Sequence, residues 1–312
     1  MIYDKCTIGT SGKISRSSFI PTMAFLLLAL TGCAAPLSPD LEQSLSVVVP
    51  TKVDFADLEY YAKRSKAAYD SVSDIRKAFP LATRIVTVKS VGVQYFIETD
   101  LTNRNQTLSI RGTAQKPNVW EDIEIALLPD RIIGIPLHRG FRDDAWAVYT
   151  DASPYLRKDL PIRVTGHSLG GAVAVIVAAY LEREDYDVDR VVTFGQPKVT
   201  SKRPVDDPVD LITRVVNEED IVPMIPPNAL GRKYQHFSPE VILMDGPDYV
   251  YLPEHDANRV SVGEFWRNIS HLSVKDHQMD KYLSNIKEKV RAGSKQIPYS
   301  VRQSSDTSAG HI

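Results

Sequence analysis

The stretch Ile162-Arg163-Val164-Thr165-Gly166-His167-Ser168-Leu169-Gly170-Gly171 has the pattern of a short strand, a tight turn that carries one serine, and the start of a helix. Gly166, Ser168 and Gly170 have the Gly-x-Ser-x-Gly spacing of a nucleophile elbow. The strand and the helix pass very close at such a turn, so a Cβ two positions before or after the serine would clash. The start of the helix directs free N–H groups and a positive dipole end toward the serine. We therefore expect Ser168 to be a nucleophile in acyl transfer.

The spacing alone would also fit a glycine-bearing turn with an inert serine, because three fixed positions arise by chance in about one chain of this length in ten. The flanking sequence favours the elbow. Residues Ile162 to Thr165 are rich in β-formers, and Ala172 to Leu181 is apolar on all sides, as a buried helix should be. A strand, a turn and a helix together are the context that the motif requires.

The composition limits the classes of protein to consider. The chain has 312 residues, of which 43% are hydrophobic, and this suits one large α/β domain or two small ones. The net charge of −2 gives no electrostatic reason to expect a nucleic-acid partner. Both cysteines, Cys6 and Cys33, lie near the N-terminus, and no cysteine or histidine cluster has the spacing of a zinc site. The sequence does not define an oligomeric state.

Residues 1–32 have the organisation of a secretory signal peptide, with basic residues, a short apolar run at Phe19–Leu30 and then small residues. The apolar run is too short to span a bilayer, which needs about twenty residues. The segment Leu30-Thr31-Gly32-Cys33-Ala34-Ala35 resembles a bacterial lipobox, which implies cleavage before Cys33 and acylation of its thiol. Two or more acyl chains anchor a protein stably to a membrane, and the absence of aspartate after the cysteine favours the outer membrane or the cell surface. The alternative is an ordinary secretory signal with an incidental cysteine.

The remaining sequence predicts a tether, one folded domain and a tail. Residues 33–50 carry serine and proline without a clear period, which indicates a tether. Residues 51–291 alternate strand-like and helix-like runs, which predicts an α/β domain with a mostly parallel central sheet, helices on both faces and a site at the carboxyl ends of the strands. Residues 292–312 are polar and rich in serine, so we expect a disordered tail. Five of the predicted strands are Arg84–Val88, Val91–Thr99, Thr107–Ile110, Val241–Met244 and Tyr249–Leu252. The first two predicted helices are Asp54–Ala78 and Asp143–Leu156.

An activated serine needs an acid and a base. A serine hydroxyl is a weak nucleophile until an imidazole removes its proton, and the imidazole needs a carboxylate to fix its tautomer. In nucleophile-elbow enzymes the acid follows the serine in the chain and the histidine follows the acid. Asp220 fits the acid best, because it comes just after the β-branched run Leu211–Asn217. The other candidates precede that run and are better explained as solvated loop charges: Asp206, Asp207 and Asp210.

The same order reduces the choice of histidine. Three of the seven histidines precede Ser168 or lie in the tail: His138, His167 and His311. Four remain: His236, His255, His271 and His277. His277 has the strongest context, because it opens the last amphipathic helix, where a loop-to-helix junction can deliver a side chain over the edge of the sheet. His271 is a close rival by position.

An acyl-transfer site also needs two or more N–H donors aimed at the forming oxyanion. One should be the amide of Leu169, the residue after the nucleophile. The other should come from a loop after an early strand, and Arg111-Gly112-Thr113 places the Thr113 N–H, together with its hydroxyl, to supply it. Alone, this tripeptide would fit any strand-ending turn. The amphipathic segment Ala114–Asp130 that follows is either a lid over the site or an ordinary surface loop and helix.

Together, these segments resemble the class 3 lipases, the fungal triacylglycerol lipase-like α/β-hydrolases, over most of residues 55–290. The motifs that carry the resemblance are Arg111-Gly112-Thr113, His138-x-Gly140-Phe141, Gly166–Gly171, Thr193-Phe194-Gly195-x-Pro197-x-Val199, Arg214–Asn217 with Asp220, Val222 and Pro223, Pro226-Pro227, Tyr234-x-His236, and Asp276-His277 followed by Tyr282. The resemblance implies an α/β-hydrolase fold. It also implies that Ser168 is the nucleophile, Asp220 the acid and His277 the base, with Thr113 and Leu169 as the oxyanion pair.

The implied reaction is two-step hydrolysis of a carboxylic ester, with acylglycerols as the first expected substrates because of the family and the membrane anchor. His277 takes the Ser168 proton as Oγ attacks the carbonyl, and water then hydrolyses the acyl-enzyme. No metal or organic cofactor is needed. Within enzymes, the alternatives are a phospholipase or a small-ester esterase. An alternative of another class is a non-catalytic lipoprotein with a hydrolase fold that binds lipid or a protein partner.

Overall fold

The structure, a computed structural model, describes residues 38–112, 126–203, 211–227, 233–260 and 275–301. Several predicted features lie outside the described residues: the signal at 1–32, Cys33, Thr113, positions 114–125 of the possible lid, and His271. Within the described ranges, no helix combines the length and the apolar composition that crossing a membrane requires.

The described strands are β1 (Ala82–Val88), β2 (Val93–Asp100), β3 (Asn105–Ile110), β4 (Leu127–Pro129), β5 (Pro136–His138), β6 (Ile162–His167), β7 (Val188–Phe194), β8 (Ile212–Asn217), β9 (Glu240–Leu243), β10 (Asp248–Leu252) and β11 (Lys295–Gln296). Nine of them form one sheet in the order β1-β2-β3-β6-β7-β8-β9-β10-β11, while β4 and β5 pair separately. From β3 to β9 every neighbouring pair of this sheet is parallel. Parallel strands end at one edge, so the segments that follow β6, β7 and β8 meet there.

The helices that lie wholly between described residues are α1 (Pro39–Leu45), α2 (Phe55–Ala67), α3 (Val72–Ala78), α4 (Arg139–Ala152), α5 (Leu169–Arg183) and α6 (Met279–Ala292), with short 3₁₀ turns at 153–155, 222–224 and 275–277. Successive strand residues point to opposite faces, and β7 shows the result. Val191 packs in the cluster that contains α4 and α5, whereas Val192 packs in the cluster that contains α2 and α6. The predicted α/β class, with a mostly parallel sheet between helices, is confirmed. α5 is buried along Gly170–Leu181, as its apolar sequence predicts.

The N-terminal boundary of the domain differs from the prediction. Residues 39–45 of the expected tether form α1, and its Leu41 and Leu45 are buried in a cluster with Val216 of β8 and Ile242 of β9. The prediction of a tether is wrong for this segment. Its signals are Pro39, because proline is favoured at the first position of a helix, and two leucines four residues apart, which share one helix face.

The C-terminal boundary also differs. Lys295–Gln296 pairs with β10 as β11, and Ile297 and Tyr299 are buried. The prediction of a disordered tail is therefore wrong for residues 295–299. A two-residue strand has no sequence period of its own, and this one depends on the free edge of β10, which is built from a distant part of the chain.

The other predicted boundaries agree more closely. The five predicted strands begin and end within two residues of the observed ones. The predicted helix Asp54–Ala78 is interrupted between α2 and α3, where the Ser71 hydroxyl accepts the amide of Asp74 and begins a new helix. Helix α4 starts directly after His138, four residues before the predicted start.

Candidate active site

Ser168 forms the turn between β6 and α5 and is almost fully buried. Its backbone has a φ of 60° and a ψ of −132°. Residues other than glycine rarely adopt this conformation, and such residues are concentrated at functional sites. Its amide donates to the carbonyl of Phe194 at 2.9 Å, which holds the turn against the end of β7. The strained turn that the motif predicts is therefore present.

The two flanking glycines are required by space. A Cβ at Gly166 would overlap the carbonyl group of Gly170, and a Cβ at Gly170 would overlap the backbone of Ile110 and Arg111. The first clash is between the strand and the helix of the elbow, as the sequence predicts. The second is with the loop after β3, so the absence of a side chain at Gly170 also allows that loop to approach the serine.

The side chains of Ser168, His277 and Asp220 form one continuous hydrogen-bonded row. Ser168 Oγ lies 2.7 Å from His277 Nε2, and His277 Nδ1 lies 2.8 Å from Asp220 Oδ2. An ionised carboxylate only accepts, so the bond to Asp220 places the imidazole proton on Nδ1 and leaves Nε2 to accept the serine proton. The structure thus brings together the three residues selected from the sequence. His277 itself ends the 3₁₀ turn at 275–277, and α6 begins two residues later.

Asp220 is buried and receives two further hydrogen bonds. The amide of Val222 donates to Oδ1 at 2.9 Å, and the hydroxyl of Tyr282 donates to Oδ2 at 2.5 Å. The Tyr282 oxygen in turn accepts the amide of Asn217 at 3.0 Å. Burial and the Asp220 charge raise the pKa of Tyr282 well above its ordinary value, so the phenol remains a donor. These bonds fix the direction of the carboxylate toward His277.

Gly195 is a site residue whose role the sequence did not reveal. It follows β7 with a φ of 55°, and a Cβ there would lie 2.8 Å from both Asp220 Oδ2 and His277 Nδ1. The acid and the base therefore meet above a backbone position that must lack a side chain. The signal in the sequence was the glycine after the β-branched run Val191–Phe194, which by itself indicates only a turn.

The expected oxyanion donors are described in part. Leu169 is the first residue of α5, so its amide is among the N–H groups that have no acceptor within the helix. Thr113 lies outside the described residues, but Gly112 is described, and a Cβ on Gly112 would lie 3.1 Å from Ser168 Cβ. The loop after β3 therefore passes directly beside the nucleophile.

The remaining candidate histidines that the structure describes lie elsewhere. His236 is buried and its Nε2 lies 2.7 Å from the carbonyl of Pro223, and His255 is exposed and pairs with Asp256. Neither bonds to Ser168. Over the described part of the chain, no group of three or more His, Cys, Asp or Glu residues is arranged to hold a metal ion.

Comparison with known proteins identifies similar chains. Residues 107–230 match the family model for class 3 lipases. The chain is 26% identical over 260 residues to a secreted mono- and diacylglycerol lipase of Fusarium solani, which covers 72% of this chain and 75% of that protein. It is 31% identical over 160 residues to a lipase of Rhizomucor miehei, and this match covers 46% of this chain and 44% of that protein.

The fold also agrees with that of solved lipases. Lipase II from Rhizopus niveus superposes with a TM-score of 0.58 at 21% identity, over 74% of this chain and 95% of that chain. Both the nucleophile elbow and the strand carrying the acid lie within the residues that the family model matches. The family model matches residues 107–230, and the solved lipases share the α/β-hydrolase fold of the chain, so this part of the chain is similar to the class 3 lipases.

Proposed function

We propose that this serine ester hydrolase cleaves acylglycerols, with Ser168 as nucleophile, His277 as general base and Asp220 as the acid that orients the base. The observation that supports these roles is the pair of contacts at 2.7 Å and 2.8 Å that joins the three side chains. The match of residues 107–230 to the class 3 lipase model supports the reaction class, and the acylglycerol lipases among the relatives support the substrate.

In the proposed first step, His277 Nε2 takes the Ser168 proton as Oγ attacks the ester carbonyl. The amides of Leu169 and Thr113 donate to the oxyanion, and Asp220 stabilises the imidazolium that forms. His277 then protonates the leaving alcohol. In the second step His277 removes a proton from water, which attacks the acyl-enzyme. The bond between the acyl carbon and Oγ then breaks, the fatty acid leaves, and His277 returns the proton to Ser168 Oγ.

The roles are tested by ester turnover of the purified full-length protein beside Ser168→Ala. We expect the variant to lose at least about 1,000-fold in kcat, as removal of a triad nucleophile does. Ser109→Ala is the matched control, since Ser109 is a buried serine of β3 whose hydroxyl has no hydrogen-bond partner among the described residues. Equal rates for Ser168→Ala and the unchanged protein, or no turnover with any ester chain length, would overturn the proposal.

The substrate class is tested separately by the type of ester. We expect emulsified di- and triacylglycerols to be cleaved faster than phosphatidylcholine vesicles and faster than the soluble ester p-nitrophenyl acetate. Faster cleavage of phosphatidylcholine would indicate a phospholipase, and equal rates below and above the solubility limit of one ester would indicate an esterase. Either result would contradict the lipase assignment while leaving the triad roles intact.

We further propose that the protein is exported and anchored to the outer membrane or cell surface through acyl chains on Cys33. Two observations support this: the lipobox-like segment ending at Cys33, and the fact that relatives such as the Fusarium solani lipase are secreted. Labelling with a palmitate analogue should occur in the unchanged protein and fail in Cys33→Ser. Cys6→Ser is the matched control and should retain the label. Labelling that persists in Cys33→Ser would contradict the anchor.

A further inference from the structure

His167, the residue before the candidate nucleophile, connects the base to a part of the molecule that the reaction does not use. Its Nε2 lies 2.6 Å from the backbone carbonyl of His277, and its Nδ1 lies 2.8 Å from the hydroxyl of Tyr69. The His167 and His277 rings also pack on each other, with centroids 4.6 Å apart and an angle of 31° between their planes. Both ring nitrogens of a buried histidine are thus engaged next to the base.

These contacts determine which nitrogen of His167 carries the proton. A backbone carbonyl only accepts, so Nε2 must donate to His277, and in a neutral ring Nδ1 is then the acceptor. The hydroxyl of Tyr69 must therefore donate to Nδ1. The tautomer of His167 is consequently fixed at both ends of the ring.

The Tyr69 hydroxyl is itself oriented by the loop beside the nucleophile. The amide of Gly112 donates to the Tyr69 oxygen. Because the Gly112 amide donates to one side of this oxygen, the phenolic proton of Tyr69 points to the other side, toward His167. A Cβ at Gly112 would overlap the Tyr69 hydroxyl, so this glycine is also what allows the two groups to approach.

We propose that Tyr69 and His167 are positioning residues for the base: the hydroxyl of Tyr69 selects the Nε2–H tautomer of His167, which holds the main chain of His277 at the distance that its ring needs to reach both Ser168 and Asp220. The proposal rests on the proposed triad, because it assigns the two residues a role only through His277. The series of bonds runs from Gly112 through Tyr69 and His167 to the carbonyl of His277.

The electrostatics of the site support this role. Burial, and secondarily the charge of the neighbouring His277 ring, lower the pKa of His167 well below its ordinary value. His167 therefore stays neutral when His277 becomes an imidazolium. A charged His167 would repel that imidazolium at a ring separation of 4.6 Å, and its Nδ1–H could no longer accept from Tyr69.

The first test removes the hydroxyl that selects the tautomer. Tyr69→Phe should lower kcat about 10-fold with KM unchanged, because the loss of one buried hydrogen bond acts on the position of the base and leaves substrate binding intact. Tyr186→Phe is the matched control, since it removes a hydroxyl that bonds to the Ser153 carbonyl at 3.2 Å away from the site. We expect its kcat to be unchanged.

The second test separates the two ends of the His167 ring. A glutamine amide can reproduce the Nε2 donor, an asparagine amide reproduces the Nδ1 position, and leucine reproduces neither. We expect His167→Gln to remain within about 3-fold of the original kcat, and His167→Asn and His167→Leu to lose about 10-fold or more. A residue that only fills space would not distinguish Gln from the similarly large Leu, and thermal unfolding of each variant shows whether the folded state is retained.

The third test asks whether Tyr69 acts through the tautomer of His167. An amide has no tautomer to select, so Tyr69→Phe should have little effect on kcat in the His167→Gln background, although it costs about 10-fold on its own. Equal losses in both backgrounds, or activity unaffected by Tyr69→Phe and His167→Leu while Ser168→Ala is inactive, would overturn the proposal. If Ser168→Ala were fully active, the triad itself would be refuted.

Discussion

The two halves of the candidate triad are encoded differently in the chain. The nucleophile half is one contiguous stretch, Gly166–Gly171, in which a strand, a strained turn and a helix start are adjacent in sequence. The acid–base half is assembled from three distant segments: Gly195 after β7, Asp220 after β8, and His277 with Tyr282 near α6. Only the parallel sheet brings those segments to one edge.

The difference predicts different consequences of mutation. In the nucleophile half, an added atom meets backbone: the Cβ of Gly166→Ala would overlap the Gly170 carbonyl, which belongs to the same elbow. In the acid–base half, an added atom meets the side chains that carry out the chemistry. A substitution in the elbow should therefore mainly lower the free energy of unfolding, by about 3 kcal/mol. A substitution in the acid–base half should mainly lower kcat.

The largest effect on kcat in the acid–base half is expected for Asp220→Asn. An amide places two N–H donors where the carboxylate accepts from His277, Tyr282 and Val222, so the imidazole is left in the wrong tautomer. The corresponding change in serine proteases lowers kcat by about 10⁴, and we expect a loss of that order with KM nearly unchanged. Steady-state kinetics on a soluble ester measures it.

The control for this change is Asp189→Asn, at an exposed aspartate of β7 that pairs with Arg163. It should leave kcat unchanged. If Asp220→Asn lowered kcat by less than about 10-fold, Asp220 would not be the acid of the proposed mechanism, for which the expected loss is far larger.

A smaller loss is expected for Gly195→Ala. The new methyl group would lie 2.8 Å from Asp220 Oδ2 and from His277 Nδ1, so it must push the two groups apart. We expect kcat to fall about 100-fold, as misplacement of catalytic groups by about 1 Å does. The positive φ adds a strain of about 1–2 kcal/mol to the folded state.

Gly134→Ala separates these two effects. Gly134 has a φ of 80°, and a Cβ there would meet nothing within 4 Å. This control should lower the free energy of unfolding by about as much as the backbone strain in Gly195→Ala does, without changing kcat. Equal kcat values for Gly195→Ala and Gly134→Ala would show that Gly195 is not needed for the approach of the acid to the base.

The nucleophile half and the acid–base half also differ in how much of each the sequence could predict. The elbow was predicted in full, because its chemistry and its steric requirements lie within ten adjacent residues. The identity of the histidine was not, because spacing alone left His271 and His277 close rivals and the choice came from family resemblance. The supporting roles of Gly195, Tyr282, Tyr69 and His167 arise only when the sheet brings distant segments together, so no local pattern could indicate them.

A still smaller loss is expected for Tyr282→Phe. This change removes one of the donors to Asp220 and leaves the amide of Asn217 without its acceptor. We expect kcat to fall about 10-fold and the free energy of unfolding to drop by about 1–3 kcal/mol, the cost of an unsatisfied buried donor. Tyr249→Phe is the matched control, because Tyr249 lies in the same apolar cluster and its hydroxyl bonds to Thr51. A kcat of Tyr282→Phe equal to that of the control would limit Tyr282 to a structural role.

The smallest effect on kcat is expected for Leu45→Ala, which tests how far the support of the acid side extends. Leu45 of α1 packs with Val216, and β8 ends at Asn217, three residues before Asp220. Truncation of this buried side chain should lower the free energy of unfolding by about 2–4 kcal/mol. Val47→Ala, at an exposed side chain two residues later, should have no effect on stability. Chemical denaturation measures both.

The kcat of Leu45→Ala then shows whether α1 supports only the fold or also positions Asp220 through β8. Asp220 is held by Val222, Tyr282 and His277, and α1 contacts none of them in its cluster. We therefore expect kcat at 25 °C to remain within about 2-fold, because small packing losses away from the bonded groups do not shift them. A loss of kcat without a loss of stability would instead mean that α1 positions the acid through β8, and residues 39–45 would then belong to the functional support of the site as well as to its fold.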